Sequence, residues 1–293
     1  MKHTLNIRGT LHFFSRPLVM GIINITPDSF YAASRVAAED AVRKAAEMLE
    51  SGADILDIGA FSSRPGCDYV TAEEEISRLS PTLAAIRASF PEAILSVDTF
   101  RGSVAREAIS GLGADIINDI GGGTLDSDMW TAVSELQVPY ILMHMRGNTS
   151  DMMKHTDYND IVAEVLSDLS KKVACLRELG VNDIIVDPGF GFSKTTPQNY
   201  EILASLNMFH ATGCPVLAGI SRKTMIREIL GTSADESLNG TTVLNTLALM
   251  RGADILRVHD VRDAVEAVKL YEAFNQADCN CDNIIQTTDY PHI

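Results

Sequence analysis

Hydrogen-bonding and ionisable residues fall directly after short apolar runs at eight places along the chain. Asn24 opens NITPDSF (24–30), Asp57 ends a run that leads into SSRPG (62–66), and Asp98 belongs to SVDT (96–99). Asn118 and Asp119 close GADIINDI (113–120), Met143 and His144 open MHMRG (143–147), and Asp187 opens DPGFGF (187–192). SRK (221–223) and RVHD (257–260) complete the set. Any one Asp, Asn, Ser or Thr among them could be a helix N-cap. Caps do not call for carboxylates after the third and sixth runs, an amide after the fourth, and cations after the second, seventh and eighth. All of them converge on one rim, and in so acidic a chain any anionic ligand must meet a local cluster of positive residues. Asp54, Asp115 and Asp254 stand at the opposite ends of their runs and read as turn residues.

The eight runs, Leu18–Ile23, Asp54–Ile58, Ala93–Val97, Ala114–Asn118, Val138–Met143, Asp183–Val186, Pro215–Ala218 and Asp254–Val258, have the apolar, β-branched character of buried parallel strands. Between them lie segments of helical period: Ala37–Ser51, Thr71–Ser89, Ser103–Gly111, a stretch before Gln137, Asn159–Gly180, Gln198–Ala211, Ser221–Leu230 with Leu238–Arg251, and Val261–Phe274. Gly-Ala-Asp recurs at 52–54, 113–115 and 252–254, where glycine ends a helix and an apolar run begins at once. Eight strand–helix units predict an α/β fold, a closed (β/α)8 TIM barrel, whose site lies past the C-terminal strand ends where the polar residues stand. Residues 1–16 read as an N-terminal hairpin, 17–275 as the barrel, and 276–293 as a polar C-terminal tail. Gly121-Gly122-Gly123 has neither the spacing nor the lysine of a phosphate-binding loop.

The chain has 293 residues, 46% hydrophobic and 22% charged, which excludes wholesale disorder. With 24 Lys plus Arg against 39 Asp plus Glu, the net charge of −15 argues against nucleic-acid or anionic-membrane partners. No apolar run reaches the roughly 18 residues of a spanning helix, and MKHTLNIRGTLHFF lacks a signal-peptide pattern, so a cytoplasmic location is expected. The cysteines, at 67, 175, 214, 279 and 281, are odd in number and scattered, against a disulfide framework. Cys279-Asn-Cys281 reads as tail rather than as a metal site.

Taken in order, these eight motifs resemble the dihydropteroate synthases of folate biosynthesis over about residues 18–270. The resemblance implies a transferase that condenses 6-hydroxymethyl-7,8-dihydropterin pyrophosphate with para-aminobenzoate, and it implies the same barrel. By resemblance, Asp98, Asn118, Met143, Asp187 and Lys223 bind the pterin, with Met143 packing on the ring. Asn24, Arg64, Arg257 and His259 bind pyrophosphate, and Asn24 is the ligand of a Mg2+ ion. Ser63, Pro65, Phe192 and Ser221 border the aminobenzoate, Ser221 with help from a helix N-terminus. Asp98, Lys223, Arg257, His259 and Arg64 form the catalytic set, Asp98 favouring a cation-like transition state. The resemblance also implies a homodimer and sulfonamide sensitivity.

Two stretches depart from the family pattern: Phe61 stands before Ser62 where the family has Glu, and Tyr31–Ser34 replaces a glycine-rich loop end. Both bear on the aminobenzoate side, since the loops at 26–35 and 62–69 are expected to close over the pterin. A pterin-dependent methyltransferase domain and a pterin-binding module without catalysis are the competing expectations. The first has no need of the Lys223 and Arg257 cations. The second conflicts with the intact Asn24, Arg64, Lys223 and Arg257.

Overall fold

A computed structural model describes residues 3–25, 31–61 and 70–287. The chain opens with an antiparallel hairpin, β1 (Thr4–Ile7) and β2 (Thr10–Phe13). Its two-residue turn, Arg8-Gly9, has φ of 51° and 80°, the left-handed pair that matches strand twist. Eight parallel strands follow: β3 (Leu18–Asn24), β4 (Ile55–Gly59), β5 (Ile94–Asp98), β6 (Ile116–Asp119), β7 (Tyr140–Met143), β8 (Ile184–Asp187), β9 (Leu217–Ala218) and β10 (Ile255–Val258). They run side by side as β8-β7-β6-β5-β4-β3-β10-β9. A parallel bridge between Val186 and Val216 joins the two ends, so the sheet closes as the expected barrel. Pro215 has no N–H to give, but its carbonyl accepts from Val186 N at 2.9 Å, which keeps the closing seam paired.

Helices α1 (Tyr31–Glu50), α2 (Ala72–Ser89), α3 (Gly102–Ser110), α4 (Met129–Leu136), α5 (Ile161–Glu178), α6 (Thr196–Ala204), α7 (Thr224–Leu230), α8 (Leu238–Met250) and α9 (Val261–Thr287) alternate with the strands. Helix α1 begins at Tyr31, six residues earlier than its period suggests. Helix α9 carries on into the segment read as a tail, because residues 275–287 contain neither Gly nor Pro to stop it.

Strand alternation splits the interior into two cores. Outward residues such as Leu56, Ile58, Leu95, Val97, Leu142, Val186 and Val258 pack with the helices. Inward residues Met20, Ile55, Ile116, Ile141, Ile185, Leu217 and Ile255 form an apolar floor with Leu5, Ile7 and Phe14 of the hairpin segment. The hairpin thus plugs the N-terminal end. At that end the Asp residues expected as turn residues do more than turn. Asp54 accepts Val19 N–H (2.8 Å) and pairs with Arg16, while Asp115 accepts Leu95 N–H (2.8 Å) and pairs with Arg8 and Arg87.

Candidate active site

On five of the eight strands the inward position one step above the floor turns polar: Asp57 on β4, Ser96 on β5, Asn118 on β6, Asp187 on β8 and Arg257 on β10. The floor and the site are therefore consecutive layers of one period-two pattern. Asn24, Asp98 and His259 stand one step further out, at the mouth.

Arg257 organises the acidic side. Its Nε donates to Asp57 Oδ2 and its Nη2 to Asp98 Oδ2, both at 2.6 Å. Asn118 Nδ2 donates to the same Asp57 oxygen at 3.0 Å. Asp57 is fully buried, and its Oδ1 has no hydrogen-bond partner. Arg257 Nη1 is likewise left for a ligand among the described residues. Burial pushes the Asp98 carboxyl up to about 7; Arg257 opposes that shift and Asp57 adds to it.

Across the mouth, Asp187 is buried and accepts Gly189 N–H at 2.7 Å. Burial raises its pKa against the pull of Lys223. Lys223 Nζ donates to the Phe190 carbonyl and lies 4.8 Å from the centre of the Phe192 ring. Burial brings its amine down to about 8, with Asp187 acting the other way. Gly219 stands beside both: a Cβ there would lie 3.8 Å from Asp187 Oδ2 and from Lys223 Nζ. An acceptor and a donor on one rim suit a heterocycle with complementary polar edges. Met143 and Phe192 belong to an apolar cluster with Ile120, Met145, Met152 and Phe61 that walls this side.

The sequence-predicted residues Asp98, Asn118, Met143, Asp187, Lys223 and Arg257 thus come together. Ser63, Arg64 and Pro65, with the loops at 26–30 and 62–69, lie outside the described residues. Ser221 is corrected in one respect. Helix α7 starts at Thr224, and Ser221 sits in the turn before it, where Arg222 has φ of 57°, so no helix N-terminus faces a ligand through Ser221. Its buried hydroxyl instead lies 3.0 Å from His259 Nδ1 and accepts His259 N–H at 3.2 Å. Partial burial and then Arg257 hold His259 down to about 4, so without a bound anion the ring is an uncharged hydrogen-bonding group at neutral pH.

Three buried groups carry more weight than the motifs suggested. Asp57 was visible as a strand end, but its partner Arg257 lies 200 residues away. Lys194, just past DPGFGF, is buried and reaches the Gly189 carbonyl (3.1 Å), the Phe192 carbonyl (3.0 Å) and His144 Nδ1 (3.0 Å). Burial lowers Lys194 to about 7 and His144 to about 2, so the imidazole is a neutral acceptor. Gly189 makes the loop's approach possible: with φ of 75°, a Cβ there would fall 2.1 Å from the His144 carbonyl oxygen.

Residues 20–259 match the family described as pterin binding enzyme. The span runs from the floor residue Met20 to His259 at the mouth. The chain is 41% identical over 269 residues to the dihydropteroate synthase of Escherichia coli K12, covering 91% of this chain and 94% of that one. It is 39% identical to the Bacillus subtilis dihydropteroate synthase over 282 residues, covering 93% and 96%. The chain belongs to the dihydropteroate synthase family. Among dihydropteroate synthases of known structure, that of Yersinia pestis in a sulfonamide drug complex superposes with a TM-score of 0.87 at 35% identity, covering 94% of this chain and all of the other. The Xanthomonas albilineans dihydropteroate synthase in complex with 7,8-dihydropteroate superposes with 0.81 at 36% identity, covering 93% and 98%.

Proposed function

We infer that this chain joins 6-hydroxymethyl-7,8-dihydropterin pyrophosphate to para-aminobenzoate, forming 7,8-dihydropteroate and pyrophosphate. The observation that carries the reading is the convergence of Asp187, Lys223, Asn118, Asp57 and Arg257 at the polar end of the barrel. A pterin presents an amino group and a ring N–H side by side, and one carboxylate accepts both; Asp187 has that role. Lys223 turns from the Phe190 carbonyl to the pterin carbonyl. Asn118 supplies donor and acceptor to another ring edge, and Met143 covers the ring.

The C–O bond to pyrophosphate breaks as the arylamine nitrogen bonds to the methylene carbon, and the nitrogen then gives up its proton to water. Positive charge developing on the methylene is offset by Asp98. Arg257 spans Asp57 and Asp98 and offers Nη1 to the leaving group, with Arg64 and His259 as further donors. Ser221 and Phe192 border the aminobenzoate with Ser63 and Pro65. Asn24 would be the ligand of a Mg2+ ion: its amide Oδ1 is a hard donor that stands 3.8 Å from the Cβ position at Gly59, with the Asp98 Cγ 3.9 Å from the same point. A Mg2+ held by Asn24 would supply charge neutralisation for the departing pyrophosphate.

We also propose a homodimer. Val243, Leu247, Met250, Leu270 and Phe274 leave an exposed apolar face on α8 and α9. Sedimentation of the wild type and of Leu270→Asp tests it, and a wild-type monomer would end that reading. For the reaction, the purified chain with both substrates and Mg2+ should yield dihydropteroate and pyrophosphate one for one. Pyrophosphate release without dihydropteroate would defeat the assignment. No helix among the described residues is long and apolar enough to cross a membrane.

A further inference from the structure

At the foot of the barrel, opposite the site, three side chains from distant parts of the chain converge. His3 precedes β1, His210 lies on the 3-10 turn Leu206–Thr212, and Asp254 precedes β10. One ligand atom from each falls within 4.8 Å of the others, and all three residues are half-buried. His210 Nε2 is 2.9 Å and His3 Nε2 3.9 Å from Asp254 Oδ2, and the two imidazole planes are inclined by only 15°.

We propose that His3, His210 and Asp254 form a binding site for a divalent transition metal of the zinc class, which staples the N-terminal hairpin to the barrel.

Zinc–nitrogen and zinc–oxygen bonds of about 2.0–2.2 Å place tetrahedral ligands about 3.4 Å apart. The observed 2.9 and 3.9 Å straddle that spacing and the third separation is no more than 4.8 Å, so shifts of about an ångström bring the three ligands to one ion. Two imidazoles with one carboxylate select zinc, cobalt or nickel over magnesium or calcium, which take oxygen. The ligands are also held in place from behind. Asp254 Oδ2 accepts Val216 N–H at 2.7 Å, and the His3 carbonyl accepts Phe14 N–H at 2.9 Å.

Both Nε2 atoms become donors to a metal when each ring carries its proton on Nδ1; at His210 the ion would replace the 2.9 Å hydrogen bond that now joins Nε2 to Asp254. Arg16, which borders the adjoining cavity, is already paired with Asp54 through two hydrogen bonds of 2.7 and 2.9 Å. A cavity of about 500 Å3, bordered by Arg16, Tyr271, Glu272 and Asn275, opens beside the cluster and gives a fourth ligand position access to water. Because His3 lies on the hairpin and the other two on the barrel, an ion here ties the first residues to elements more than 200 positions away.

The test uses the full chain, freed of any polyhistidine tag and stripped with a chelator. Titration with Co2+ should give visible ligand-field bands of a four-coordinate ion saturating at one equivalent, and Zn2+ should displace it. Zn2+ at a hundredfold excess over its Kd should raise Tm by about 5 °C, as expected for a ligand bound by the folded state alone. His3→Gln and His210→Gln should each lower cobalt affinity at least tenfold and abolish the Tm shift. His155→Gln and the pair Cys279→Ser with Cys281→Ser should change neither. Absence of saturable binding overturns the proposal. So does binding that survives both of the first two substitutions, or that is lost with His155 or the cysteines.

Discussion

At the scale of single residues, two charges decide when the site works. Asp98 is pushed up to about 7, and its role requires the carboxylate, so activity falls as pH drops below that value. Lys223 is brought down to about 8 and its role requires the ammonium, so activity falls again above that value. The expected kcat/KM profile for the pterin substrate is a narrow bell between these limbs. Asp98→Asn should remove the acid limb and Lys223→Met the alkaline one, each at a reduced plateau. A wild-type profile that stays flat across the window contradicts both roles. Arg257 gives a second residue-scale test. The resemblance assigns it to pyrophosphate, so Arg257→Ala would spare a pterin analogue without phosphates. The geometry implies otherwise, because the substitution leaves fully buried Asp57 facing Asp98 with no counter-charge. Breaking such a pair costs about 3–5 kcal/mol, and calorimetry should show losses for both ligands. Intact binding of the phosphate-free analogue would restore the narrower role.

At the scale of elements, the βα loops carry the chemistry and the strand ends aim it. The loop after β8 is held by Lys194, whose Nζ collects two of its carbonyls and the His144 ring. Lys194→Met keeps the length of the side chain but strands two buried carbonyls, each costing about 1–3 kcal/mol. Asp187 and the Phe190 carbonyl shift with that loop. The expected result is a KM for the pterin substrate raised about tenfold or more, with a smaller fall in kcat, and calorimetry with a pterin analogue should match. An unchanged KM would separate the lysine from the site. Elements of this kind were only partly visible in the sequence. DPGFGF announced Asp187, but Lys194 stood beyond the motif as one more loop lysine, and its burial depends on packing against β7. Asp57 was seen at its strand end without a role, because nothing local links it to Arg257. Ser221 was placed on a helix because the apolar period of α7 extends through it, whereas the left-handed Arg222 starts a turn instead.

At the scale of the whole molecule, the barrel was legible because each apolar strand sits between a helix stop and a polar end, a pattern that local chemistry alone produces. What closes it was not, since the seam rests on one bridge between Val186 and Val216 and on a plug from the far N-terminus. The barrel is polar at one end and apolar at the other, and the two ends are separate layers of the same strands. Stability and catalysis should therefore respond to different substitutions. Ile7 is 4% exposed and packs on the floor with Met20, Ile55 and Ile116, while the hairpin's Arg8 pairs with Asp115 at 2.6 Å. Ile7→Ala removes three buried carbons from a floor that cannot collapse inward past eight strands, a loss of about 2–5 kcal/mol. Thermal denaturation should show a lower Tm, and urea titration a lower midpoint with little change in slope. Below the transition, kcat and KM should stay within about twofold of wild type, because Asp98, Asp187, Lys223 and Arg257 lie at the other end of the barrel and keep their partners. A variant that folds with unchanged Tm would mean that the hairpin does not seal the floor. One that keeps its Tm but loses activity would mean that the two ends of the barrel are coupled.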